Sequence, residues 1–357
     1  AAASAVTRPS FLAASRLAGV DLARGLAIVG MLAAHLVALP SWSWTDPATW
    51  GDIANGRSSI LFATLAGVSL ALMTGGSKPR SREAFRAARL RIGLRAILVW
   101  VIGIALAATG VPVYVILPAY AVLFVMALPF LGLSPRILFV IAAVVALVMP
   151  FAVAQINTWP IWEGVTGEAL DLVVGWHYPF LLWFAFIAAG LGIGRLALRD
   201  ARVQVGLLCS GIVVAILGYG LDASGWSIEF AGSEMLTADA HSSGIAEAIG
   251  SGGFALAIIG ACLLLCRTPL TWVVLPLRAM GSMPLTAYSA QIIVWAVWAA
   301  IVLGDTSDLD GFRELHPFWP LTAGIALGCT VWALTLGRGL LERGLDRLVP
   351  GGAALRS

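Results

Sequence analysis

The sequence predicts an all-α, polytopic integral membrane protein with about ten transmembrane helices and both termini in the cytoplasm. Three observations predict this class: the composition, the spacing of apolar segments and the distribution of arginines. Of the 357 residues, 60% are hydrophobic and 11% are charged, whereas about a quarter of the residues of a soluble domain are charged. So few charged side chains cannot cover a surface that faces water, which excludes a soluble globular protein.

Apolar windows of about the length that a bilayer requires, roughly 20 residues, recur along the whole chain. The windows fall at 22–39, 57–74, 92–109, 113–131, 137–154, 177–196, 203–221, 244–265, 279–303 and 317–336. Several of them contain glycine or proline, which membrane helices tolerate when neighbouring helices satisfy the freed backbone groups. We therefore expect one helix in each window.

Most basic residues fall on one side of the membrane if these helices alternate in direction. They are Arg8, Arg16, the cluster 78–95, Arg136, Arg195, Arg199, Arg202, Arg267, Arg278, Arg338, Arg343, Arg347 and Arg356. Only Arg57 and Arg313 fall on the other side, which also receives most of the loop carboxylates and tryptophans. The positive-inside rule places the basic side, and with it both termini, in the cytoplasm.

The domain organisation follows from the same pattern. We expect a cytoplasmic N-terminal segment at 1–20, a transmembrane domain at 21–337 and a cytoplasmic tail at 338–357. The first helix is predicted to be retained rather than cleaved as a signal sequence, because charged residues interrupt its start and no clear small-x-small site follows. The loops on the outer side are too short to fold alone, and they suit the walls or lid of a site.

The first helix carries an arginine and a histidine, Arg24 and His35. At about 100° per residue, this spacing returns His35 to within about 20° of Arg24 on the helix face and roughly 16 Å further along the axis. Ionisable groups at membrane depth are costly, so a functional site is the default interpretation. Asp21 lies one turn before Arg24, which predicts a local salt bridge.

All four histidines, His35, His177, His241 and His316, are predicted to lie in the outer half of the membrane or on the outer face. Imidazole titrates near neutral pH, so this asymmetry indicates proton chemistry or acceptor binding on that side. His316 precedes a proline at a helix start and is expected to be merely interfacial. For His177 and His241, a functional and an interfacial role are both open.

Two polar groups on the outer side have alternative interpretations. Arg57 could pair with Asp46 or Asp52, or it could hold an anionic acceptor. Asp239 lies two residues before His241, and the pair could orient an acceptor, although such a short pattern is common by chance.

In the ninth window, Tyr288 and Gln291 could donate hydrogen bonds to a developing oxyanion. Hydrogen bonding between helices would explain both residues equally well.

Four stretches of the chain, in the same order, resemble membrane acyltransferases. The Arg-x10-His pattern of the first helix is similar to a hallmark of the type-three acyltransferase superfamily. The string 19–31 resembles the start of the heparan-α-glucosaminide N-acetyltransferase-like proteins and related bacterial families. Three further stretches are similar to those bacterial relatives, namely 56–69, 177–183 with 190–195, and 281–291.

The resemblance implies an acyl-coenzyme A donor, acetyl-CoA in the first place, with the 21–337 segment as the acyltransferase domain. It implies that His35 acts as a general base or as an acyl carrier, and that Arg24 positions the donor. The lysosomal member of the family has its proposed catalytic histidine in the loop after the first helix, and here that loop, 40–55, contains none. The assignment of the catalytic histidine to His35 therefore rests on the resemblance to the bacterial relatives.

An arginine-rich segment supplies cations for the phosphates of such a donor. Arg82, Arg86 and Arg89 are spaced i, i+4 and i+7 along one helix face, and arginine binds phosphate in a fork geometry. Positive-inside topology and contact with anionic lipids would also place arginines here, so both interpretations stay open.

The predicted function is transfer of an acetyl or other short acyl group from cytoplasmic acyl-CoA to a hydroxyl or amine of a cell-envelope glycan or glycolipid outside the plasma membrane. The expected partners are the lipid bilayer and that acceptor. A homodimer is left open, a nucleic-acid partner is not expected, and no metal motif is present in the sequence. A proton-coupled transporter of an envelope precursor is the alternative, although the related halves of a carrier are not detected.

Overall fold

The computed structural model describes residues 10–12, 16–40, 42, 45–78 and 81–348. Arg8 and Arg356 lie outside these residues, as do positions 1–9, 13–15 and 349–357 of the predicted terminal segments. Within them the chain is nearly all helical, which confirms the all-α class, and the only strands described are two residues long each.

The elements are numbered in chain order. The helices are α1 (Ala18–Leu36), α2 (Arg57–Met73), α3 (Arg82–Ala107), α4 (Leu117–Ala127), α5 (Pro135–Asn157), α6 (Gly164–Val174), α7 (Phe180–Gly194), α8 (Ala201–Ala223), α9 (Ile245–Leu265), α10 (Leu270–Val273), α11 (Leu275–Ser282), α12 (Pro284–Val302), α13 (Leu309–Glu314), α14 (Phe318–Thr335) and α15 (Leu340–Leu348). Strands β1 (Glu229–Phe230) and β2 (Ser233–Glu234) pair antiparallel, with Glu229 opposite Glu234. Short 3-10 segments cover Ser10–Leu12, Pro47–Ala54, Leu128–Phe130 and Pro160–Trp162.

Each predicted window contains a helix, but the helices differ in length. In the described part of the chain, eight helices are long and apolar enough to cross a membrane: α1, α2 with the 3-10 segment before it, α3, α5, α8, α9, α12 and α14. The other two windows hold shorter apolar helices, α4 and α7. The chain is therefore a multi-pass membrane protein, and the count of ten crossings and the direction of the termini stay predictions.

Two helices depart from their predicted windows. Helix α3 begins ten residues before its window, because Ser81 accepts a hydrogen bond from the Ala84 N–H at 3.3 Å and caps a helix whose first turns are arginine-rich. The window 279–303 is broken at Met283, whose φ and ψ of −135° and 61° are not helical. Pro284 then starts α12, a position where its missing N–H costs nothing.

Small residues let the central helices approach closely. A Cβ atom added to Gly190 of α7 would lie 1.9 Å from the Thr64 carbonyl oxygen of α2, and one added to Gly67 would lie 2.3 Å from the Ile187 oxygen. Such contacts are how membrane helices associate without a hydrophobic driving force. They bring α2 and α7 together at the centre of the bundle, beside α1.

The last helix of the described chain, α15, packs against the ends of the bundle helices. Its Glu342 accepts hydrogen bonds from the Leu285 and Thr286 N–H groups at 2.8 and 3.1 Å. These are first-turn donors of α12 that have no partner inside their own helix. Asp346 of α15 also forms ion pairs with Arg95 and Arg338. The helix is thereby fixed against the N-terminal end of α12.

Candidate active site

A polar cavity lies at the C-terminal end of α1. It has a volume of about 190 Å³ and is lined by residues of α1, α2, α12 and the connecting loops. Five residues that the sequence singled out line it together: His35, His177, His241, Tyr288 and Gln291. We call this space the histidine cavity, and it unites side chains from four separate parts of the chain.

Two of its histidines interact through their rings. His177 stacks on Tyr114 with ring centroids 3.5 Å apart, and it lies 5.4 Å from the His241 ring. Burial, and then the neighbouring His35, lowers the pKa of His177 to about 4. Burial and the charge of His177 lower the pKa of His241 as well, although contact with solvent moderates that effect. Neutral imidazoles at pH 7 can accept hydrogen bonds as well as donate them.

A carboxylate fixes the backbone of each of these two histidines. Asp171 Oδ1 accepts a hydrogen bond from the His177 N–H at 2.7 Å. Glu247 accepts one from the His241 N–H at 2.6 Å and one from the Ser243 N–H at 2.8 Å. His241 and Ser243 have φ values of 62° and 60°, which are unfavourable for residues with a side chain. The bonds to Glu247 offset that strain and present His241 to the cavity.

His35 combines a fixed backbone with an available side chain. Its carbonyl oxygen accepts a hydrogen bond from Arg313 Nε at 2.9 Å, and last-turn carbonyls of a helix have no partner within it. The imidazole lines the cavity, and no hydrogen bond from another described residue occupies its nitrogens. His35 can therefore take a proton from a group bound in the cavity.

Helix α12 contributes the polar wall. The Tyr288 hydroxyl accepts a hydrogen bond from the Ile116 N–H at 3.3 Å. Gln291 is 4% exposed, and its Oε1 atom has no hydrogen-bond partner among the described residues. A buried amide oxygen without a partner is destabilising, and a bound ligand that donates a hydrogen bond would remove that cost.

Three other predicted residues lie outside the cavity wall. Arg57 donates to the Tyr219 hydroxyl at 2.7 Å and to the Asp52 backbone carbonyl at 3.1 Å. Asp239 is exposed and does not line the cavity, so Glu247 rather than Asp239 is the carboxylate that positions His241. His316 is exposed in the loop before α14, as an interfacial histidine would be.

A second cavity surrounds Arg24 at the other end of α1, with a volume of about 170 Å³. We call it the arginine pocket. Arg24 donates to Asp21 at 3.1 Å, which confirms the predicted salt bridge, and to the Ser69 hydroxyl at 2.8 Å. Asp21 also accepts two hydrogen bonds from Arg16. A Cβ atom on Gly281 would lie 1.7 Å from the Asp21 carbonyl oxygen, so this end of α1 is held tightly against α11.

The predicted phosphate-binding arginines lie elsewhere. Arg82 and Arg86 line an open recess of about 570 Å³ together with Lys78, and Arg89 is not part of its wall. Among the described residues, none lines both this recess and the arginine pocket. The cation that α3 contributes to the arginine pocket is Arg95.

The arginine pocket and the histidine cavity lie end to end along the bundle. Tyr288 lines both of them. On α2, Ser59 faces the histidine cavity and Phe62 faces the arginine pocket, and at the start of α4 the consecutive residues Ile116 and Leu117 divide in the same way. These helices therefore extend from the arginine pocket to the histidine cavity. The spacing of Arg24 and His35 predicted such an arrangement for α1 alone.

Sequence reasoning missed several residues of the site. Glu247 is a carboxylate inside an apolar window. Because ionisable groups at membrane depth are costly, the argument that identified Arg24 could have identified Glu247 as well. Asn55, Tyr114 and Tyr178 also line the histidine cavity. No local pattern distinguishes these three from ordinary loop residues, and only the fold brings them to the cavity.

Fold and site together define a multi-pass membrane protein with a histidine-lined cavity inside its helix bundle. The family model of the heparan-alpha-glucosaminide N-acetyltransferase catalytic domain matches residues 16–219, more than half of the chain. The chain therefore belongs to this family, as its motifs predicted, and is a transmembrane acetyltransferase. No curated protein matches the chain. The family match includes Arg24 and His35, whereas His241 and helix α12, which complete the cavity, lie beyond it.

Proposed function

We propose that the protein transfers an acetyl or other short acyl group from cytoplasmic acyl-CoA to a hydroxyl or amine of a cell-envelope glycan or glycolipid on the outer side of the plasma membrane. The observation that carries this proposal is the end-to-end arrangement of the two cavities. A cation marks one end, an imidazole with open nitrogens marks the other, and Tyr288 lies between them.

The chemistry assigns the base to His35. The acceptor O–H or N–H gives its proton to the imidazole while its heteroatom attacks the thioester carbonyl carbon. The tetrahedral oxyanion is stabilised by hydrogen bonds from Gln291 and Tyr288. Its collapse breaks the carbon–sulfur bond, and the departing thiolate takes the proton back from His35. Attack by His35 itself, through an acyl-histidine, uses the same residues.

The donor enters from the end that carries Arg24. Both termini and the basic loops face the cytoplasm in this proposal, in accordance with the positive-inside rule. Arg24 binds the donor within the arginine pocket, and the recess of Arg82 and Arg86, with Arg89 on the same helix, attracts the phosphates at the surface. His177, His241 and Arg57 lie at the end where the acceptor arrives.

Substitution of His35 tests the proposal. Purified protein is supplied with radiolabelled acetyl-CoA and with glucosamine or octyl glucoside as amine and hydroxyl acceptors. His35→Ala is expected to lower the transfer rate by about 10²- to 10⁴-fold, because it removes the general base. His316→Asn removes an exposed histidine as a control and is expected to leave the rate unchanged.

Binding of coenzyme A to the His35→Ala variant separates loss of chemistry from loss of fold. Retained binding with lost transfer supports the proposal. Full transfer by His35→Ala would show that His35 is not the base, and proton-driven uptake of a sugar without acyl transfer would favour the transporter.

A further inference from the structure

A row of stacked aromatic rings stands where the two cavities meet. Phe62 of α2 lies 5.7 Å from Tyr120 and 6.3 Å from Tyr288, with interplanar angles of 20° and 21°. Phe124 continues the row, 6.1 Å from Tyr120. All four rings line the arginine pocket, and Tyr288 reaches the histidine cavity as well. A molecule that extends from one cavity to the other must pass this row.

The Tyr120 hydroxyl has no function in the packing of the row. Tyr120 is 3% exposed, and its hydroxyl has no hydrogen-bond partner among the described residues. A phenylalanine would stack in the same way without burying a polar atom, and a buried hydroxyl without a partner is destabilising. Tyr288, which lies on the other side of Phe62 in the row, has a partner for its hydroxyl in the Ile116 N–H. Tyr120 lines the arginine pocket, so its unpaired hydroxyl indicates a ligand there.

The surroundings of Tyr120 restrict the chemistry of that ligand. The wall of the arginine pocket is largely apolar and includes Leu65, Val99 and Leu117. A phosphate would be poorly solvated there, whereas a thin, neutral chain with occasional amide groups fits. A tyrosine hydroxyl donates a hydrogen bond to an amide carbonyl oxygen.

We propose that Tyr120 binds the amide-containing pantetheine arm of the donor, and that its hydroxyl donates to an arm carbonyl where the arm passes the aromatic row. This inference rests on the proposed function, because it takes the donor to be an acyl-CoA. It makes Tyr120 a donor-binding residue and leaves the reacting thioester beyond the row, in the histidine cavity.

Tyr120→Phe tests the inference, because it removes one oxygen atom and keeps the stacked ring. The affinity of the purified protein for coenzyme A is measured by calorimetry, alongside that for adenosine 3′,5′-bisphosphate, which lacks the arm. The variant is expected to bind coenzyme A about ten-fold more weakly and the bisphosphate with unchanged affinity. Tyr219→Phe is the matched control, because its hydroxyl already contacts Arg57 and Ser251, and both affinities should be unchanged.

The other outcomes would contradict either this inference or the proposed function on which it rests, and the measurements distinguish the two cases. Unchanged coenzyme A affinity in Tyr120→Phe, or an equal loss for both ligands, would show that the hydroxyl does not bind the arm while the proposed function stands. Failure of the unmodified protein to bind coenzyme A at all would contradict the acyl-CoA donor itself.

Discussion

The arginine pocket and the histidine cavity lie at opposite ends of helix α1, and they differ in whether their arginine and histidine side chains have partners. In the arginine pocket the charged side chains already have protein partners: Arg24 has Asp21 and Ser69, and Arg95 has Asp346. In the histidine cavity, the side-chain nitrogens of His35 and the side-chain oxygen of Gln291 have none among the described residues. The first region is preorganised to bind, and the second has groups available for chemistry.

The two regions are also built from different elements. The arginine pocket is enclosed by helices α1, α2, α3, α4, α12 and α15, so helix packing determines its shape. The histidine cavity depends on loops, and carboxylates of Asp171 and Glu247 fix the backbone of those loops. Substitutions in the arginine pocket should therefore affect mainly KM, and substitutions around the histidine cavity should affect mainly kcat. These effects come in addition to the loss of rate expected for His35→Ala.

The largest further effect is expected at Arg24. Arg24→Met should raise the KM for acetyl-CoA by about 10- to 100-fold, because a hydrogen bond to a charged group is lost, with a smaller change in kcat. Steady-state kinetics measure this split. Arg16→Gln is the control, because Arg16 also pairs with Asp21 but does not line the pocket. A lower kcat at unchanged KM would indicate that Arg24 acts in the chemical step. The contrast between a binding pocket and a catalytic cavity would then be lost.

A smaller effect of the opposite kind is expected at Glu247. Glu247→Gln replaces one acceptor oxygen with a donor, so one of the two backbone N–H groups of the strained loop loses its partner. We expect kcat to fall about ten-fold with the affinity for coenzyme A unchanged. Glu234→Gln makes the same change in the same segment, at a half-buried carboxylate that also accepts backbone hydrogen bonds and does not line the cavity. Equal effects of the two substitutions would mean that loop stability alone is measured.

The smallest expected effect concerns stability at low pH. The pKa of His177 is about 4 in the folded protein and 6.5 without these surroundings. As the pH falls below about 6.5 the unfolded chain binds the proton first, so this contribution to stability is present above that pH and is lost as the pH falls towards 4.

The melting temperature in detergent measures this effect. It should fall between pH 7.5 and pH 4.5, and it should fall less in His177→Gln, whereas His316→Asn should behave like the unmodified protein. An unchanged pH dependence in His177→Gln would show that His177 does not contribute.

Much of the helical framework could be predicted because bilayer thickness imposes one length on every crossing segment. The Asp21–Arg24 pair could be predicted as well, since its partners are one turn apart on a single helix. The break at Met283 was missed because the apolar run continues through it. The early start of α3 was missed because the arginines of its first turns do not resemble a membrane segment.

The sequence by itself determined the class of protein, its helical segments and the line from Arg24 to His35, because these depend on composition and on contacts within one helix. Only the tertiary structure decided that His177, His241 and Gln291 join His35, and that Glu247 rather than Asp239 holds His241. It also brought Tyr120, whose hydroxyl has no partner among the described residues, to the wall of the arginine pocket. These arrangements depend on how distant helices pack, which the residues of any one helix do not specify.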